Sequence, residues 1–295
     1  MKFYLNYNDN SHCCYLLWLF LLKLIFNMKQ LIALILVTIL FSCNSNDTPD
    51  NDPSIVPAAS GIAAPQEISY TIIAQYPHDT SAYTQGLQLH NGKMYEGTGD
   101  FENSSLRITN YKTGAVEKRH MMGSDKIFGE GINIFKDKLY QLTWESHLVY
   151  VYDLSNLDKP VKTFNWPYDG WGLTNNGTDL IISDGSANLY FVDAETFKVK
   201  NTVAVRDNKG PVININELEF IDGFIYANVY TTRNIIKIDP ESGIVKGIMR
   251  FDNILSQTDS NSRTDYFNGI AWDSTSRSIF VTGKRWPKMF ELKIN

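Results

Sequence analysis

The stretch KIFGEGINIF, residues 126–135, contains the strand from which the fold can be worked out. It places one carboxylate, Glu130, between two glycines at the start of an apolar run. Glycine has no side-chain bulk, so another part of the molecule can approach Glu130 closely. Taken alone, the stretch fits a tight turn with a solvated charge, because most glutamates lie on the surface. The position of Glu130 within a repeat gives it a second interpretation.

The same kind of strand recurs along the chain after residue 68. Short β-branched and aromatic runs alternate with Gly, Asn and Asp turns, and no convincing amphipathic helix interrupts them. The units repeat about every 40 to 50 residues, which is typical of propeller blades. Their first strands can be aligned on Leu87, Ile132, Leu173, Leu218 and Ile270. The sequence therefore predicts an all-β fold, a five-bladed β-propeller.

Closure of this ring requires a strand from elsewhere in the chain. The last unit contains only about three strands, and the run ISYTIIAQY at 68–76 precedes the first unit. We expect this N-terminal strand to complete the last blade, because the pairing would remove an exposed sheet edge.

Two sets of repeat positions should meet at one mouth of the central channel. Two residues before each anchor stand Gln85, Glu130, Trp171, Asn216 and Asn268. The second strands end in Gly99, Trp144, Gly185, Tyr230 and Lys284. Any single member could be structural, since channels are wet and repeated aromatic residues commonly pack. Together they combine one acid, one lysine, aromatic residues and amides, which is typical of a small-molecule site.

Composition excludes several other kinds of site. The formal net charge is -5 with no long basic run, which argues against nucleic acid as a partner. The three cysteines are Cys13, Cys14 and Cys43, so the predicted propeller has no disulfide, thiolate metal site or cysteine nucleophile. No two histidines show a spacing such as HExxH. We therefore expect no metal at the site.

The beginning of the chain reads as a bacterial lipoprotein signal. The sequence MKQLIALILVTILFSC starts at Met28 and ends at Cys43, with a basic start, an apolar run and a small residue before the cysteine. The bulky Phe41 makes the match partial. An N-terminal membrane anchor is the alternative, although polar residues such as Lys23 and Lys29 interrupt the apolar stretch.

These features predict three regions. Residues 1–43 would be an upstream extension and signal, with Met28 as the true start and a lipid on Cys43. Residues 44–67, rich in Asn, Asp, Ser and Pro, would be a flexible tether. Residues 68–295 would be the propeller. We expect a monomer held to the membrane of the cell envelope, on the periplasmic or extracellular face.

Seven short motifs, in order and at blade spacing, resemble one known family. They are YTQGL at 83–87, FGEGI at 128–132, LTW at 142–144, GWGLT at 170–174, NELE at 216–219, NGIAWD at 268–273 and VTGKRWP at 281–287. The chain is similar in these to the plant and bacterial type of glutaminyl-peptide cyclotransferase, a five-bladed propeller enzyme. The resemblance implies conversion of the N-terminal glutamine of peptides or proteins to pyroglutamate, with release of ammonia and without a cofactor.

The resemblance also assigns roles within the two sets. Glu130 resembles the family's catalytic acid, and Gln85, Trp144, Trp171, Asn216 and Lys284 look like its other pocket residues. Tyr230 stands where the family usually has tryptophan, which would keep an aromatic wall and add a hydroxyl. Tyr83 similarly replaces the commoner phenylalanine. Asn268 belongs to the candidate binding set through its repeat position.

The implied reaction suits such a pocket. Cyclisation is an attack by the substrate's own α-amine, so the enzyme needs no nucleophile, and one carboxyl can move the proton to the departing nitrogen. The walls of Trp144 and Trp171 would raise the pKa of Glu130 and Lys284 would lower it, so the sequence leaves the direction open.

Two alternatives remain at this level. A calcium-dependent lactonase-like hydrolase could use Glu130 and two asparagines as oxygen ligands, although one carboxylate is little charge and Lys284 would repel the ion. A surface-anchored propeller that binds peptide or sugar without catalysis is the other.

Overall fold

The computed structural model describes residues 61–256 and 259–295. These residues form strands and turns, and within them no helix is long and apolar enough to cross a membrane. The predicted signal, the lipidation of Cys43 and most of the tether lie outside the described residues.

The described residues form twenty-three strands, most of them rich in β-branched and aromatic residues. In chain order they are β1 Gln66–Glu67, β2 Tyr70–Pro77, β3 Thr84–His90, β4 Lys93–Thr98, β5 Ser105–Asn110, β6 Ala115–Met121, β7 Phe128–Phe135, β8 Lys138–Trp144, β9 Leu148–Asp153, β10 Lys162–Asn165, β11 Leu173–Asn175, β12 Leu180–Ser183, β13 Asn188–Val192, β14 Val199–Ala204, β15 Arg206–Asp207, β16 Gly210–Pro211, β17 Ile215–Ile221, β18 Phe224–Val229, β19 Asn234–Ile238, β20 Val245–Arg250, β21 Phe267–Asp273, β22 Ser278–Gly283 and β23 Lys288–Ile294.

Five sheets form the blades, and each is antiparallel through its four main strands. Blades 1 to 4 are β3–β6, β7–β10, β11–β14 and β17–β20, and blade 5 is β21–β23 with β2 outermost. The innermost strands β3, β7, β11, β17 and β21 contact their neighbours in a closed ring. The five anchors lie in these innermost strands, so the predicted five-bladed propeller is confirmed.

The ring closes through the N-terminal strand, as predicted. β2 pairs antiparallel with β23, from Tyr70 opposite Ile294 to Pro77 opposite Lys288. The preceding β1 pairs in parallel with β20 on the outside of blade 4. The N-terminal segment thus contacts two adjacent blades, and no edge of blade 5 is left unpaired at β23.

Apolar side chains between neighbouring blades form the core. Between blades 4 and 5, the buried rings of Phe251, Phe267, Trp286 and Phe290 pack together. Burying an aromatic side chain contributes about 1.5–3 kcal/mol. Trp286 also donates its indole N–H to the Asp265 carbonyl at 2.9 Å. Such packing holds the inner strands at fixed positions around the channel.

Candidate active site

A backbone irregularity occurs at the same place in four innermost strands. The pairing register of the first two strands shifts between Thr84 and Gly86, Gly129 and Ile132, Ile215 and Leu218, and Phe267 and Ile270. These bulges contain the ring residues Gln85, Glu130, Asn216 and Asn268. A bulge re-aims the side chain of its extra residue and ends regular pairing. The fifth ring residue, Trp171, precedes β11 and donates its N–H to the Ser183 carbonyl at 3.0 Å.

Gly131, which follows Glu130, allows blades 2 and 3 to approach each other closely. Its N–H donates to the Trp171 carbonyl at 2.8 Å, which joins blades 2 and 3 directly through the backbone. A Cβ at Gly131 would lie 2.5 Å from that same oxygen, closer than real Cβ contacts. A larger residue would therefore separate the two blades. Glycine here permits close approach, and Glu130 stands at the junction.

The ring residues and the second tier meet in one pocket of about 240 Å³. Its lining residues are Tyr83, Gln85, Phe128, Glu130, Trp144, Trp171, Asn216, Tyr230 and Lys284. The structure thus brings together seven of the eight substrate-site residues expected from the sequence.

The eighth, Asn268, lies behind the pocket wall. Its side chain is 0% exposed, and its Nδ2 donates to the Thr84 carbonyl at 3.0 Å and to Gln85 Oε1 at 3.3 Å. Asn268 therefore holds the Gln85 amide in position, whereas its repeat position predicts a contact with substrate.

Two lining residues, Tyr83 and Phe128, are not among the site residues predicted from the sequence. Each stands two residues before a ring residue, Gln85 and Glu130 respectively. Side chains two apart on a strand point to the same side. Counting back two further residues from the ring would have found both.

The two second-tier glycines make room for rings of the pocket. A Cβ at Gly99 would lie 2.1 Å from the Phe128 ring, and one at Gly185 would lie 2.8 Å from the Trp171 ring. The aromatic walls continue outward, since Phe101 contacts the Phe128 ring at 5.2 Å between centroids and Tyr266 contacts Tyr230 at 4.8 Å. The pocket is therefore an apolar funnel with polar groups at its base.

Glu130 is a buried carboxyl held by an amide. It is 3% exposed, and Gln85 Nε2 donates to its Oε1 at 2.9 Å. Burial raises its pKa well above the ordinary value, although the Lys284 charge acts in the opposite direction. The charge of Asp169 adds to the rise. The direction that the sequence left open is therefore upward, because burial outweighs the lysine.

Lys284 lies between two tyrosine rings. Its Nζ is 4.8 Å from the ring centroid of Tyr83 and 4.8 Å from that of Tyr230, so both rings present π-faces to the ammonium group. The side chain is 3% exposed. Burial lowers its pKa, although the charges of Glu130 and Asp265 oppose this. Tyr230 thus keeps the aromatic wall expected of that position and also contacts the cation.

Asn216 provides an unused acceptor at the pocket. It lines the cavity, and its buried Oδ1 has no hydrogen-bond partner among the described residues. A buried polar atom without a partner is unfavourable by about 1–3 kcal/mol. A ligand N–H that reached this oxygen would remove that penalty.

The groups at the pocket form an unfavourable set for a divalent cation. They comprise one carboxyl, amides, aromatic rings and an ammonium group. Hard cations require several oxygen ligands, usually with more than one carboxylate. Nowhere in residues 61–256 and 259–295 do three or more His, Cys, Asp or Glu side chains gather in a metal-binding arrangement.

Comparison with known proteins finds relatives over most of the chain. The family described as glutamine cyclotransferase matches residues 36–294. A glutaminyl-peptide cyclotransferase of Arabidopsis thaliana is 38% identical over 227 residues, which are 76% of this chain and 70% of that protein. The crystal structure of Myxococcus xanthus glutaminyl cyclase is 33% identical, with a TM-score of 0.71, and the match covers 78% of this chain and 98% of that one.

Proposed function

The chain belongs to the glutamine cyclotransferase family, and we propose that the pocket around Glu130 is where it acts as a glutaminyl-peptide cyclotransferase. This acyltransferase reaction converts an N-terminal glutamine of a peptide or protein into pyroglutamate and releases ammonia. The resemblance inferred from the seven motifs is confirmed. The observation that carries the assignment of the pocket is the single buried carboxyl with a raised pKa, placed beside amide groups in a small aromatic cavity.

The pocket dimensions suit one glutamine side chain. Trp144, Trp171 and Phe128 would enclose its methylene groups, and the α-amine would donate to the unpartnered Oδ1 of Asn216. Holding the amine and the γ-carboxamide together converts part of the entropic barrier into binding. The peptide chain beyond the first residue would leave through the mouth of the funnel.

The two oxygens of Glu130 have different roles in the proposed proton transfer. Oε1 accepts from Gln85, so Oε2 is free to face the substrate. The α-nitrogen forms a bond to the γ-carbonyl carbon, and the bond from that carbon to the amide nitrogen breaks. Glu130 gives its proton to the departing nitrogen and recovers one from the attacking amine, so ammonia leaves and the carboxyl is regenerated. Such general acid–base catalysis is worth about a hundredfold to ten-thousandfold.

Lys284 would stabilise the charge that develops during attack. Its ammonium group lies in the same buried pocket, where a fixed cation near the carbonyl oxygen is worth far more than in water. Burial raises the pKa of Glu130 and lowers that of Lys284. A bound substrate would exclude more water from the funnel and would therefore increase both shifts.

The direct test is Glu130→Gln with Glu241→Gln as a matched control. Glu241 is an exposed glutamate at the turn between β19 and β20, at the opposite end of the propeller from the pocket. Ammonia release and mass loss from a Gln-initiated peptide should fall at least about a hundredfold in Glu130→Gln and stay normal in the control. Near-normal turnover in folded Glu130→Gln would exclude proton transfer by Glu130 as the mechanism. Turnover that disappears on chelation would favour the calcium-dependent alternative.

We also propose that the enzyme is a lipid-anchored monomer of the cell envelope. The lipobox-like sequence around Cys43 supports this location. Cys43→Ser should release the protein from the membrane fraction, and light scattering of the released protein should give the mass of one chain. Membrane retention of the variant would instead support the N-terminal anchor.

A further inference from the structure

A second cavity, here called the arginine pocket, lies at the same end of the propeller as the active site. It encloses about 160 Å³, and its walls include Arg107, Arg119, Arg263 and Arg285. Arg285 directly follows the pocket residue Lys284, and Arg119 lies near the end of β6, which runs toward this face. Nothing in the cyclisation step described above uses these four side chains.

The arginine pocket carries more positive charge than its own acids neutralise. Asp79 Oδ2 accepts from Arg107 at 2.9 Å and from Arg119 at 3.0 Å, and Asp100 accepts from Arg285 at 3.1 Å. Arg263 has no carboxylate within 4.0 Å among the described residues. Two carboxylates are thus paired with three of the guanidinium groups, and Arg263 is left without one.

The base of the arginine pocket contains a buried guanidinium group in a fixed orientation. Arg107 is 1% exposed, and its Nε donates to Ser105 Oγ at 2.9 Å. A guanidinium held by a hydroxyl and by Asp79 keeps one orientation, so an incoming anion would meet a fixed donor. Arg119, Arg263 and Arg285 stand nearer to solvent and could close around the anion.

Tyr83 separates the arginine pocket from the active site by a single side chain. One side of the Tyr83 ring lines the Glu130 pocket, and the Cζ atom of Arg285 lies 5.1 Å from the ring centroid. A peptide whose first residue occupies the Glu130 pocket can therefore reach the arginines by passing Tyr83. An extended chain advances about 3.3 Å per residue, so residues two to four of the substrate extend about 10 Å beyond the glutamine, which is enough to pass one side chain.

We propose that the arginine pocket binds a carboxylate of the peptide substrate, downstream of its N-terminal glutamine. The carboxylate comes from an acidic side chain at residues two to four or from the C-terminus of a short peptide. Arginine guanidinium groups bind carboxylates through paired N–H donors, which matches four guanidinium groups around a small cavity. This inference rests on the proposed function, since it places the glutamine in the Glu130 pocket.

The test compares amidated peptides that begin with glutamine and carry either Glu or its neutral isostere Gln at position two, three or four. A further pair differs only in a free or amidated C-terminus, which separates the two sources of carboxylate. The enzyme, the double variant Arg119→Gln/Arg263→Gln and the control Lys198→Gln are assayed at low and high salt. Lys198 is exposed at the turn between β13 and β14, on the opposite face of the propeller.

The enzyme should prefer one Glu peptide or the free-acid peptide by about threefold to tenfold in kcat/KM at low salt, mainly through KM. High salt should reduce this preference, and the double variant should abolish it while Lys198→Gln keeps it. Equal cyclisation of Glu and Gln peptides at every position, or a preference that survives in the double variant, would overturn the inference.

Calorimetric titration with the corresponding pyroglutamyl product peptides separates this inference from the proposed function. If no peptide is cyclised, the proposed function fails, and the arginine pocket is then judged by binding alone. Tighter binding of the acidic product, lost in the double variant, supports the carboxylate site. Equal binding of acidic and neutral products contradicts it.

Discussion

Replacing Glu219 with glutamine should change how the stability of the propeller depends on pH. Glu219 lies on β17 and accepts a hydrogen bond from the Trp272 N–H at 3.0 Å. Burial raises its pKa from 4.5 to about 8, although the hydrogen bonds from Trp272 and Thr174 act against the rise. Its neighbour Glu217 is also buried and accepts from the Leu87 and Ile270 N–H groups.

The magnitude follows from the difference between the folded and unfolded pKa of Glu219. Below pH 4.5 the carboxyl is protonated in both states and adds no pH dependence. Between pH 4.5 and about 8 the unfolded chain ionises while the folded protein keeps the proton, so the free energy of unfolding falls by about 1.4 kcal/mol per pH unit. The total loss reaches about 5 kcal/mol at pH 8 and above. Glu219→Gln removes this contribution entirely.

The measurement is urea unfolding at half-unit steps from pH 5 to 8.5. The glutamine side chain adds an amide N–H that lacks a partner, so the variant should be about 1–2 kcal/mol less stable at pH 5. It should be more stable than the parent at pH 8, because only the parent then pays the ionisation penalty. Glu241→Gln, an exposed substitution in the same blade, serves as the control and should leave the difference between pH 5 and pH 8 unchanged.

A pair of parallel stability curves for Glu219→Gln and the parent would refute the reasoning. That result would mean that Glu219 ionises in the folded protein as readily as in the unfolded chain. The slope with respect to urea must stay constant across the series, since a change in slope would report a change in the exposed surface instead.

Three further predictions concern the pocket. Gly99→Ala places a methyl group against the Phe128 ring, so the ring should move into the pocket and raise KM for small Gln peptides by about tenfold, with about 1–3 kcal/mol lost in stability; an unchanged KM would show that the ring moves outward. Asn268→Ala releases the Gln85 amide, so kcat should fall about tenfold while KM changes little, and Asn268→Asp should lose at least as much because a carboxylate cannot donate to Gln85 Oε1; a normal kcat in Asn268→Asp would contradict the assigned hydrogen bond. Lys284→Gln removes the charge that lowers the pKa of Glu130, so the alkaline limb of the pH–kcat profile should move to higher pH; a shift to lower pH would contradict the assigned coupling.

The repeat pattern predicted most of the site because the propeller converts sequence period into position. Equivalent residues of successive blades lie at the same height around the channel. The step of two residues that leads from Ile132 to its ring residue therefore also locates Gln85 and Asn216 when it is taken from their own anchors. The alternation of side chains within one strand was not used, and this is why Tyr83 and Phe128 were missed. Both are recoverable from the same sequence.

Other features could not be read from the sequence. Asn268 occupies a ring position, yet the structure turns its amide toward Gln85 and away from the cavity. The direction of the Glu130 pKa shift depends on how completely the pocket is dehydrated, and this is a property of packing rather than of residue type. The arginine pocket joins residues of blade 1, of the turn between β22 and β23 and of the segment between β20 and β21. These residues share no repeat position, so no periodicity marks the pocket.

Because β2 pairs with β23, catalytic activity depends on closure of the propeller ring. This pairing joins segments whose side chains Thr71 and Asn295, 224 positions apart, still share a hydrogen bond. Gln85 belongs to blade 1 and Lys284 to blade 5. These two walls of the pocket therefore meet where the pairing of β2 with β23 closes the ring. A molecule in which β2 has left β23 would keep most of its strands and lose its pocket. Turnover therefore reports only the propellers whose ring is closed, whereas spectroscopy of the backbone responds to open and closed propellers alike.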